Sequence, residues 1–469
     1  MMDAAMAAQA IAAKLHGDSA RFRGVTTDTR TLVPGDLFVA IQGERFDGHD
    51  FVREAFERGA AAAIVAGDRV AQLRQSASGG SPGPVLAVDD PIEALGALAA
   101  FWRRRFSIPV AAVVGSNGKT TVKEMTAAIM RAHFGPERVL SSTGNLNNAI
   151  GLPLTLLRLR ASHAAAAVEI GMNHPGETLA LAKIALPTVG VINNAQREHQ
   201  EFMKSVADVA TEHASLLGAI ADDGAAVVNA DDDFAPLWRD VVARRNAEGA
   251  NIAVRDFGLH APAAVSARYR SEGWGSIVQA ISPEGSVEFA LRLPGRHNVA
   301  NSLAAIAAAG AVGASLDAAA SALTMFQPIA GRLQTSAGVG GATIIDDTYN
   351  ANPDSVRAAV AVLAQGRHAK WLVLGDMGEV GDQGVAFHRE IGEYARAAGV
   401  DRLLAAGELA SHAVDAFGPG GTHFDNVDAL AAELRSSLTR DVTVLVKGSR
   451  FMRMERVVAA ISAMQRREH

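Results

Sequence analysis

Short apolar runs alternate with amphipathic helical patterns along most of the chain. One block of runs comprises PVAAVVG, AAAAVEIG, TVGVINN and AAVVNAD, and a second block comprises ATIIDD, KWLVLGD, DRLLAAG and VTVLVKG. Short buried strands separated by helices are typical of a parallel sheet that is wrapped by helices. The pattern therefore predicts two α/β units that follow one another in the chain.

The chain before these blocks has the pattern of a smaller α/β unit. DLFVAI and AAAIVAG indicate strands, and HDFVREAFERG indicates an amphipathic helix that ends at Gly59. The opening stretch MMDAAMAAQAIAAKLHG carries Asp3 and no early basic cluster, so it predicts an ordinary helix and not a signal peptide. SASGGSPGP at 76–84 is the strongest loop signal, and the region from about 252 to 294 predicts a meander of shorter strands.

Composition excludes several classes of function. The 469 residues include no cysteine, which excludes disulfides, thiolate zinc sites and cysteine nucleophiles. Lys and Arg number 44 against 50 Asp and Glu, and the net charge of −6 argues against binding of nucleic acid through bulk electrostatics. The alanine-rich runs are weakly hydrophobic and interrupted by polar residues, so they predict no membrane span. We expect a soluble cytoplasmic protein.

The stretch VVGSNGKTTV has the pattern of a phosphate-binding loop between a predicted strand and a predicted helix. Glycine lets backbone N–H groups approach an anion, the helix N-terminus adds positive potential, and a lysine neutralises charge. A threonine hydroxyl can ligate Mg²⁺. The longer form of the motif would place glycine at Val113, so this is the short form; the alternative is a turn with an exposed lysine. The predicted nucleotide-binding residues are Gly115, Ser116, Asn117, Gly118, Lys119, Thr120 and Thr121.

Two further side chains are candidates for Mg²⁺ beside this loop. Glu169 ends one predicted strand, and His199 follows the next one. The carboxyl ends of parallel strands lie at one edge of a sheet, where ligands collect. A capping carboxylate and a structural histidine are the alternative interpretations.

Several polar stretches predict further binding loops. TGNLNNAIGLP suits hydrogen bonds to a sugar, phosphate or carboxylate, although it could be a simple turn. GRHNVAN contains His297, Asn298 and Asn301. The asparagines could cap a helix, or their amides could hydrogen-bond to the edge of an adenine. IIDDTYNANPDS, VLGDMGEVG and VLVKGSR each follow a predicted strand of the last unit, so they predict a binding face; ordinary polar loops are the alternative.

Eight motifs in this order resemble those of the Mur ligases of peptidoglycan synthesis. They are TDTR…PGDLFVAIQGERFDGHDF, GSNGKTT, TGNLNNAIGLPLTLL, EIGMNHPGE, GRHNVAN, DDTYNANPDS, LGDMGE and VKGSR. Within the family, DDTYNANPDS, EIGMNHPGE and the N-terminal segment resemble the member that adds D-alanyl-D-alanine to UDP-N-acetylmuramoyl-tripeptide. Another Mur-type or folylpolyglutamate-type amide ligase is the nearest alternative. A nucleotide switch or a catalytically silent scaffold is the alternative from another class.

The resemblance implies an α/β fold of three domains. These are an N-terminal α/β domain for the UDP-substrate at 1–88, a central P-loop parallel-sheet ATPase domain at 89–327, and a C-terminal Rossmann-like domain at 328–469. It also implies that ATP, with Mg²⁺, phosphorylates the terminal carboxylate of the tripeptide, whose third residue is left open, and that the dipeptide amine attacks the acyl phosphate. A monomer that binds no nucleic acid is expected.

The resemblance also implies roles for individual residues. Lys119, Glu169 and His199 match catalytic positions, and Thr120, Glu169 and His199 match positions at the metal ions. The implied nucleotide contacts outside the phosphate loop are His297, Asn298, Arg332 and Asp346. The implied substrate contacts are Thr27, Asp28, Arg30, Gln42 and Gly43 on the uridine side, Asn145, Asn147 and Asn148 at the sugar and peptide, and Asn350, Asn352 and Asp354 at the dipeptide.

The chain departs from the family pattern after His199. Many Mur ligases carry a carbamylated lysine some fourteen positions later, where it bridges the second Mg²⁺, and this chain has His213 there. Neighbouring residues of a helix point about 100° apart, so at most one of Glu212 and His213 faces the site. We predict His213 as the metal-side ligand and no carbamylated lysine.

Overall fold

The computed structural model of the protein describes residues 1–75 and 83–463. The loop predicted at 76–84 lies outside the described residues, apart from Gly83 and Pro84. The described chain forms three successive α/β regions, each built on its own main sheet. The predicted α/β class, with a small N-terminal region before two larger parallel-sheet regions, is confirmed.

The N-terminal region is a small sheet with short helices. Its elements are β1 (Met2–Asp3), α1 (Ala4–Ala10), β2 (Lys14–His16), β3 (Arg21–Phe22), β4 (Val25–Thr26), β5 (Leu37–Val39), α2 (Val52–Glu57), β6 (Ala62–Ala66), α3 (Val70–Gln75) and β7 (Val85–Val88). The main sheet has the order β2–β7–β6–β5–β4, in which β2 is antiparallel to β7 and the other neighbours are parallel. The predicted strands DLFVAI and AAAIVAG correspond to β5 and β6, and the predicted helix corresponds to α2.

The predicted N-terminal helix is shorter than expected. Asp3 caps α1 by accepting a 2.8 Å hydrogen bond from the backbone N–H of Met6. The helix ends at Ala10, Ala12 has a left-handed φ of 52°, and the chain then pairs as β2 with β7. Helix propensity is a weak preference that such tertiary pairing overrides.

The central region contains a fully parallel six-stranded sheet. Its elements are α4 (Pro91–Arg103), β8 (Val110–Val114), α5 (Lys119–Phe134), β9 (Val139–Ser141), α6 (Gly151–Leu156), β10 (Ala165–Glu169), α7 (Glu177–Ala185), β11 (Val189–Ile192), α8 (Val206–Ala214), β12 (Ala225–Val228), α9 (Ala235–Ala247), β13 (Ala253–Val254), β14 (Ser266–Glu272), β15 (Gly275–Ser282), β16 (Gly285–Leu291), α10 (Arg296–Ala311) and α11 (Leu316–Met325). The parallel sheet has the order β13–β12–β11–β8–β10–β9. The predicted meander is the antiparallel sheet β14–β15–β16.

The central strands of this sheet are buried on both faces. Ala112 and Val114 of β8 join a core that extends to α4 and the N-terminal region, whereas Ala111 and Val113 join a core beneath α5, α10 and α11. Strands covered on both faces have continuous apolar sequences, which is why the strand runs of this region could be recognised. Within residues 1–75 and 83–463, no helix is long and apolar enough to cross a membrane.

The C-terminal region is a second six-stranded sheet covered by helices. Its elements are β17 (Gln334–Ala337), β18 (Thr343–Asp347), α12 (Pro353–Leu363), β19 (Ala369–Gly375), α13 (Gly384–Ala397), β20 (Arg402–Ala406), α14 (Ala410–Phe417), β21 (Gly421–Phe424), α15 (Val427–Ser437), β22 (Val442–Lys447) and α16 (Glu455–Ile461). Its strand order is β17–β18–β22–β19–β20–β21, and β17 is antiparallel to β18 while the other neighbours are parallel. The four strands predicted for this unit correspond to β18, β19, β20 and β22.

The carboxyl ends of the two parallel sheets meet at one cleft. The phosphate loop follows β8 on one side, and Asp347 and Lys447 end β18 and β22 on the other. Across the cleft, Arg332 Nη2 donates to Thr120 Oγ1 at 2.9 Å. The C-terminal region is therefore docked against the central region in this structure.

A buried arginine links the C-terminal ends of α4 and α7 in the central region. Arg103, at the end of α4 and only 4% exposed, donates to the carbonyl oxygens of Ala185, Leu186, Phe106 and Ile108. Without the guanidinium these buried and half-buried carbonyl groups would lose this donor, which is costly. We expect Arg103→Met to destabilise the protein by about 3 kcal/mol, measured as a lower urea midpoint.

The matched control for this prediction is the exposed neighbour Arg104. Arg104→Met should change stability by less than about 0.5 kcal/mol. Equal urea midpoints for the two variants would show that the carbonyl contacts of Arg103 contribute little.

Candidate active site

A cavity of about 720 Å³ lies between the central and C-terminal regions. Most of the predicted site residues line it: Ser116, Asn117, Gly118, Lys119, Thr120, Thr121, Asn145, Asn147, Asn148, Glu169, His199, His297, Asn298, Arg332, Asn350, Asn352 and Asp354. Eight predicted site residues do not line it: Thr27, Asp28, Arg30, Gln42, Gly43, Gly115, His213 and Asp346. The tertiary structure thus brings together loops that are more than two hundred residues apart in the chain.

The phosphate loop has the backbone form that its glycines allow. Gly118 has φ of 82°, and a Cβ atom there would lie 2.6 Å from side-chain atoms of both Asn193 and Asn301. Helix α5 begins at Lys119, so its N-terminus points into the cavity region. Lys119 Nζ donates to the Gly115 carbonyl oxygen at 2.6 Å and to Glu198 Oε2 at 3.2 Å. The lysine ammonium is therefore held where it can neutralise a phosphate.

Buried asparagine amides hold the loop in place. Asn193 Nδ2 donates to the Asn117 carbonyl oxygen at 2.7 Å and to Asn301 Oδ1 at 2.9 Å. Asn298 donates to the Pro294 carbonyl oxygen and accepts from Asn301 Nδ2 at 3.1 Å. Both amide atoms of Asn298 therefore have partners within the protein. The helix-cap interpretation of GRHNVAN is wrong, because Gly295 is the N-cap of α10 and no side chain caps that helix. The asparagines instead support the phosphate loop through Asn193, and contact with adenine remains a prediction.

Thr120 and Glu169 form the polar floor of the cavity. Thr120 Oγ1 donates to Glu169 Oε2, and Asn147 Nδ2 donates to Glu169 Oε1, both at 2.7 Å. Glu169 is 3% exposed. A carboxylate beside a hydroxyl supplies the oxygen ligands that Mg²⁺ prefers, and Mg²⁺ usually completes its shell with phosphate oxygens and water. The donor chemistry therefore fits Mg²⁺, although no group of three or more His, Asp or Glu among the described residues is arranged to hold a metal by itself.

Glu198 is a buried carboxylate that the sequence interpretation missed. It lies among three basic groups, with Lys119 Nζ at 3.2 Å, His213 Nε2 at 3.2 Å and His199 Nε2 at 3.8 Å. Burial would raise the pKa of Glu198, but Lys119, His213 and His199 together lower it to about 2. The available signal was the charged triplet Arg197-Glu198-His199 in the loop after the buried strand β11, from which the sequence analysis predicted only His199.

The neighbours Glu212 and His213 point in different directions, as expected for adjacent residues of a helix. Glu212 accepts hydrogen bonds of 2.8 Å from the backbone N–H groups of Gly176 and Thr178 at the start of α7. His213 is 1% exposed and faces Glu198, behind the cavity wall. The structure therefore directs His213, and not Glu212, towards the cluster around Lys119.

We expect His213→Ala to lower turnover about 10-fold and to raise the Mg²⁺ concentration needed for half-maximal activity, because the side chain supports Glu198. The measurement is phosphate release as a function of Mg²⁺ concentration. His368→Ala, at an exposed histidine, is the control. Full activity with an unchanged Mg²⁺ dependence would rule out a metal-side role for His213.

On the C-terminal side, the structure places Asp347 instead of Asp346 in the cavity wall. Asp346 Oδ1 accepts hydrogen bonds from the backbone N–H and the hydroxyl of Thr348, and its side chain does not line the cavity. Asp347 pairs with Lys447, and both line the cavity. Successive residues of a strand point to opposite faces, so a shift of one position exchanges the residue that faces the ligand.

The asparagine-rich loop before α12 reaches the phosphate loop directly. Asn352 Nδ2 donates to Asn117 Oδ1 at 3.0 Å, while Asn352 Oδ1 accepts from the backbone N–H of Ser355 and caps α12. The guanidinium of Arg332 lies 4.0 Å from the ring centroid of Tyr349. Asp354, predicted at the dipeptide, has both carboxylate oxygens engaged by Arg197.

The residues predicted on the uridine side lie in loops of the N-terminal sheet. Asp28 Oδ2 and Arg30 Nη2 pair with each other at 2.7 Å, and the Arg30 side chain is 84% exposed. Gln42 forms an isolated bridge with Asp47, and the Gly43 N–H donates to the Phe46 carbonyl oxygen at 2.9 Å. These residues lie on the N-terminal region and do not line the cavity.

Comparison with known proteins adds independent evidence. Family models match three parts of the chain: Mur ligase family, catalytic domain, at 21–103; Mur ligase middle domain at 113–309; and Mur ligase, glutamate ligase domain, at 331–450. The chain is 40% identical over 452 residues to the UDP-N-acetylmuramoyl-tripeptide–D-alanyl-D-alanine ligase of Escherichia coli (strain K12), which covers 96% of this chain and 95% of that protein.

Solved structures agree with the sequence relatives. MurF from Acinetobacter baumannii superposes with a TM-score of 0.86 and 32% identity over 98% of both chains. MurF from Thermotoga maritima, solved in complex with ADP, superposes with a TM-score of 0.78 and 25% identity over 93% of this chain and 96% of that one. The resemblance drawn from the eight motifs is confirmed. The chain belongs to the Mur ligase family.

Proposed function

We propose that the protein is an ATP-dependent ligase that joins D-alanyl-D-alanine to UDP-N-acetylmuramoyl-tripeptide. The observation that carries this proposal is the single cavity in which the phosphate loop and the Thr120–Glu169 pair meet the DDTYNANPDS loop of the C-terminal region. The match to the Escherichia coli ligase of that name, 40% identical over 96% of this chain, supports the choice of substrates. We also propose Mg²⁺ as cofactor, a monomeric state and a place in the cytoplasm.

The proposed reaction has two steps. The tripeptide carboxylate attacks the γ-phosphorus of ATP, which gives an acyl phosphate and ADP. The dipeptide amine then attacks the carbonyl carbon, the bond from carbon to phosphate oxygen breaks, and an amide, inorganic phosphate and a proton result. Lys119 at the phosphate loop would stabilise the charge on the transferred phosphoryl group. When bound at Thr120 and Glu169, Mg²⁺ would neutralise charge on the β- and γ-phosphates.

The arrangement of the site supports a division of roles among the three regions. We propose domains at 1–88, 89–327 and 328–469, in keeping with the separate sheets and with the three matched family models. His297, Asn298 and Arg332 would contact the nucleotide, and Asp347 replaces Asp346 as the acidic neighbour. Asn145, Asn147 and Asn148 would contact the UDP-linked peptide, and Asn350 and Asn352 the dipeptide. The uridine end would be bound by the N-terminal region, at Thr27, Asp28, Arg30, Gln42 and Gly43.

The test is phosphate release from ATP by the purified protein with UDP-N-acetylmuramoyl-tripeptide, with and without D-alanyl-D-alanine. We expect turnover only with both substrates, together with a UDP-linked pentapeptide detected by its mass. Tripeptides with diaminopimelate and with lysine at the third position should be compared. Turnover that is indifferent to the dipeptide would overturn the proposal in favour of another amide ligase or a nucleotide switch.

A further inference from the structure

Three consecutive residues after β11 contact two different parts of the molecule. Arg197 and His199 contact the C-terminal domain, and Glu198 between them contacts the phosphate loop. All three line the active-site cavity. This segment therefore connects the docked domain to the group predicted to bind phosphate.

Arg197 is the strongest of these interdomain contacts. Its Nη2 donates to Asp354 Oδ1 at 2.6 Å on α12, and its Nη1 donates to Glu390 Oε2 at 2.7 Å on α13. The backbone N–H of Arg197 also donates to Asp354 Oδ2 at 2.9 Å, and the guanidinium lies 5.2 Å from the ring centroid of Phe387. A planar guanidinium that bonds two carboxylates is geometrically specific, so it sets the position of the segment and not only its charge.

His199 makes the second interdomain contact. Its Nδ1 lies 2.7 Å from Glu379 Oε2 of the C-terminal domain. Both residues have left-handed backbone conformations, with φ of 49° at His199 and 58° at Glu379. Such conformations are unfavourable for non-glycine residues and persist where surrounding contacts hold them. The residues on either side of Glu198 are thus both in contact with the C-terminal domain.

Glu198 connects this segment to Lys119. Its Oε2 accepts from Lys119 Nζ at 3.2 Å, and its side chain is 6% exposed. The carboxylate is buried and the residues on both sides are anchored. The position of Glu198 therefore depends on these anchors, and Glu198 has little freedom to move with Lys119 when the anchors stay in place. Undocking of the C-terminal domain would remove both anchors at once and leave the Glu198 carboxylate with its central-domain neighbour His213.

We propose that the segment Arg197–His199 couples docking of the C-terminal domain to the position of the phosphate-loop lysine. Arg197 is then a positioning residue that acts through Glu198. In the docked state Glu198 holds the Lys119 ammonium in the cavity, and in the undocked state Lys119 loses this partner. The inference rests on the proposed ligase function for its kinetic measurement only, since docking itself can be measured without turnover.

The first test compares Arg197→Met, Glu390→Gln and Arg357→Met. Glu390 does not line the cavity, and it accepts from both Arg197 and Arg357. Arg357→Met removes contacts within the C-terminal domain, to Glu390 and to the ring of Tyr394, so it is the control for Glu390→Gln. We expect Arg197→Met to lower kcat about 10-fold and Glu390→Gln about 3-fold, with ATP KM changed less than about 2-fold and Arg357→Met near wild type. Arg197→Lys keeps the charge but lacks the planar guanidinium that bonds two carboxylates, so its kcat should lie between those of Arg197→Met and wild type.

The second test asks whether Arg197 acts through Glu198. In a double-mutant cycle on kcat, Arg197→Met should have a much smaller effect in a Glu198→Gln background than in wild type. Small-angle scattering with a non-hydrolysable ATP analogue and Mg²⁺ should show a larger radius of gyration for Arg197→Met than for wild type or Arg357→Met. Independent effects of the two substitutions, or wild-type kcat and compaction in Arg197→Met, would overturn the inference. Absence of turnover in the wild type would instead refute the ligase proposal, and the scattering comparison would still decide the coupling.

Discussion

Lys119→Met is expected to lower turnover about 1000-fold, the largest effect of any single substitution proposed for this protein. Lys119 supplies the one ammonium group of the phosphate loop. Its Nζ donates to the Gly115 carbonyl oxygen of the same loop at 2.6 Å. Methionine keeps the aliphatic stem and removes the charge. The charge that develops on the transferred phosphoryl group would then lack its partner.

The measurement is phosphate release with both substrates, accompanied by calorimetric titration with ADP. Lys183→Met, at an exposed lysine of α7, is the control and should keep wild-type activity. If Lys119→Met retained more than about a tenth of wild-type turnover, the phosphate loop would not be the catalytic centre. Thermal unfolding of Lys119→Met should show a cooperative transition like that of wild type, which distinguishes loss of activity from loss of the fold.

Glu169→Gln is expected to lower turnover about 100-fold and to raise the Mg²⁺ requirement. The carboxylate is buried at the end of β10 and bonds Thr120 through Oε2 and Asn147 through Oε1, both at 2.7 Å. Glutamine has the same shape and can bond both partners, so the pocket should keep its form. What is lost is the negative charge that a hard divalent cation needs.

Glu212→Gln is the matched control, because Glu212 is also a buried carboxylate of the central domain. It accepts from backbone N–H groups at the start of α7 and has no contact with the cavity. Glu212→Gln should reduce thermal stability and leave the Mg²⁺ dependence unchanged. Glu169→Gln should raise the Mg²⁺ requirement and leave thermal stability unchanged. The same Mg²⁺ dependence in wild type and Glu169→Gln would contradict the proposed ligand role of Glu169.

Much of the fold followed from local sequence patterns. The parallel strands β8, β10 and β22 are buried along their whole length, so their sequences are apolar except for Glu169, Thr443 and Lys447 and stand out between helices. The phosphate loop was recognisable for a related reason, because its glycines, lysine and threonine must be consecutive to wrap an anion at a helix N-terminus. The short helix α1 shows the limit of local patterns, since the pairing of β2 with β7 ended a helix that the alanine content favoured.

Tertiary structure decided which side chains face one another. Whether Asp346 or Asp347 enters the cavity depends on the register of β18 against its neighbours, and a strand alternates its faces at every residue. Arg197 meets Asp354 across 157 positions of sequence, and Glu198 meets Lys119 across 79. The sequence alone determined the sheets and the phosphate loop, because strand burial and anion binding act over a few consecutive residues. The packing of the central domain determined the cluster around Glu198, and the docking of two domains determined the ion pairs of Arg197. Contacts across such distances depend on how separate elements pack and not on any local pattern.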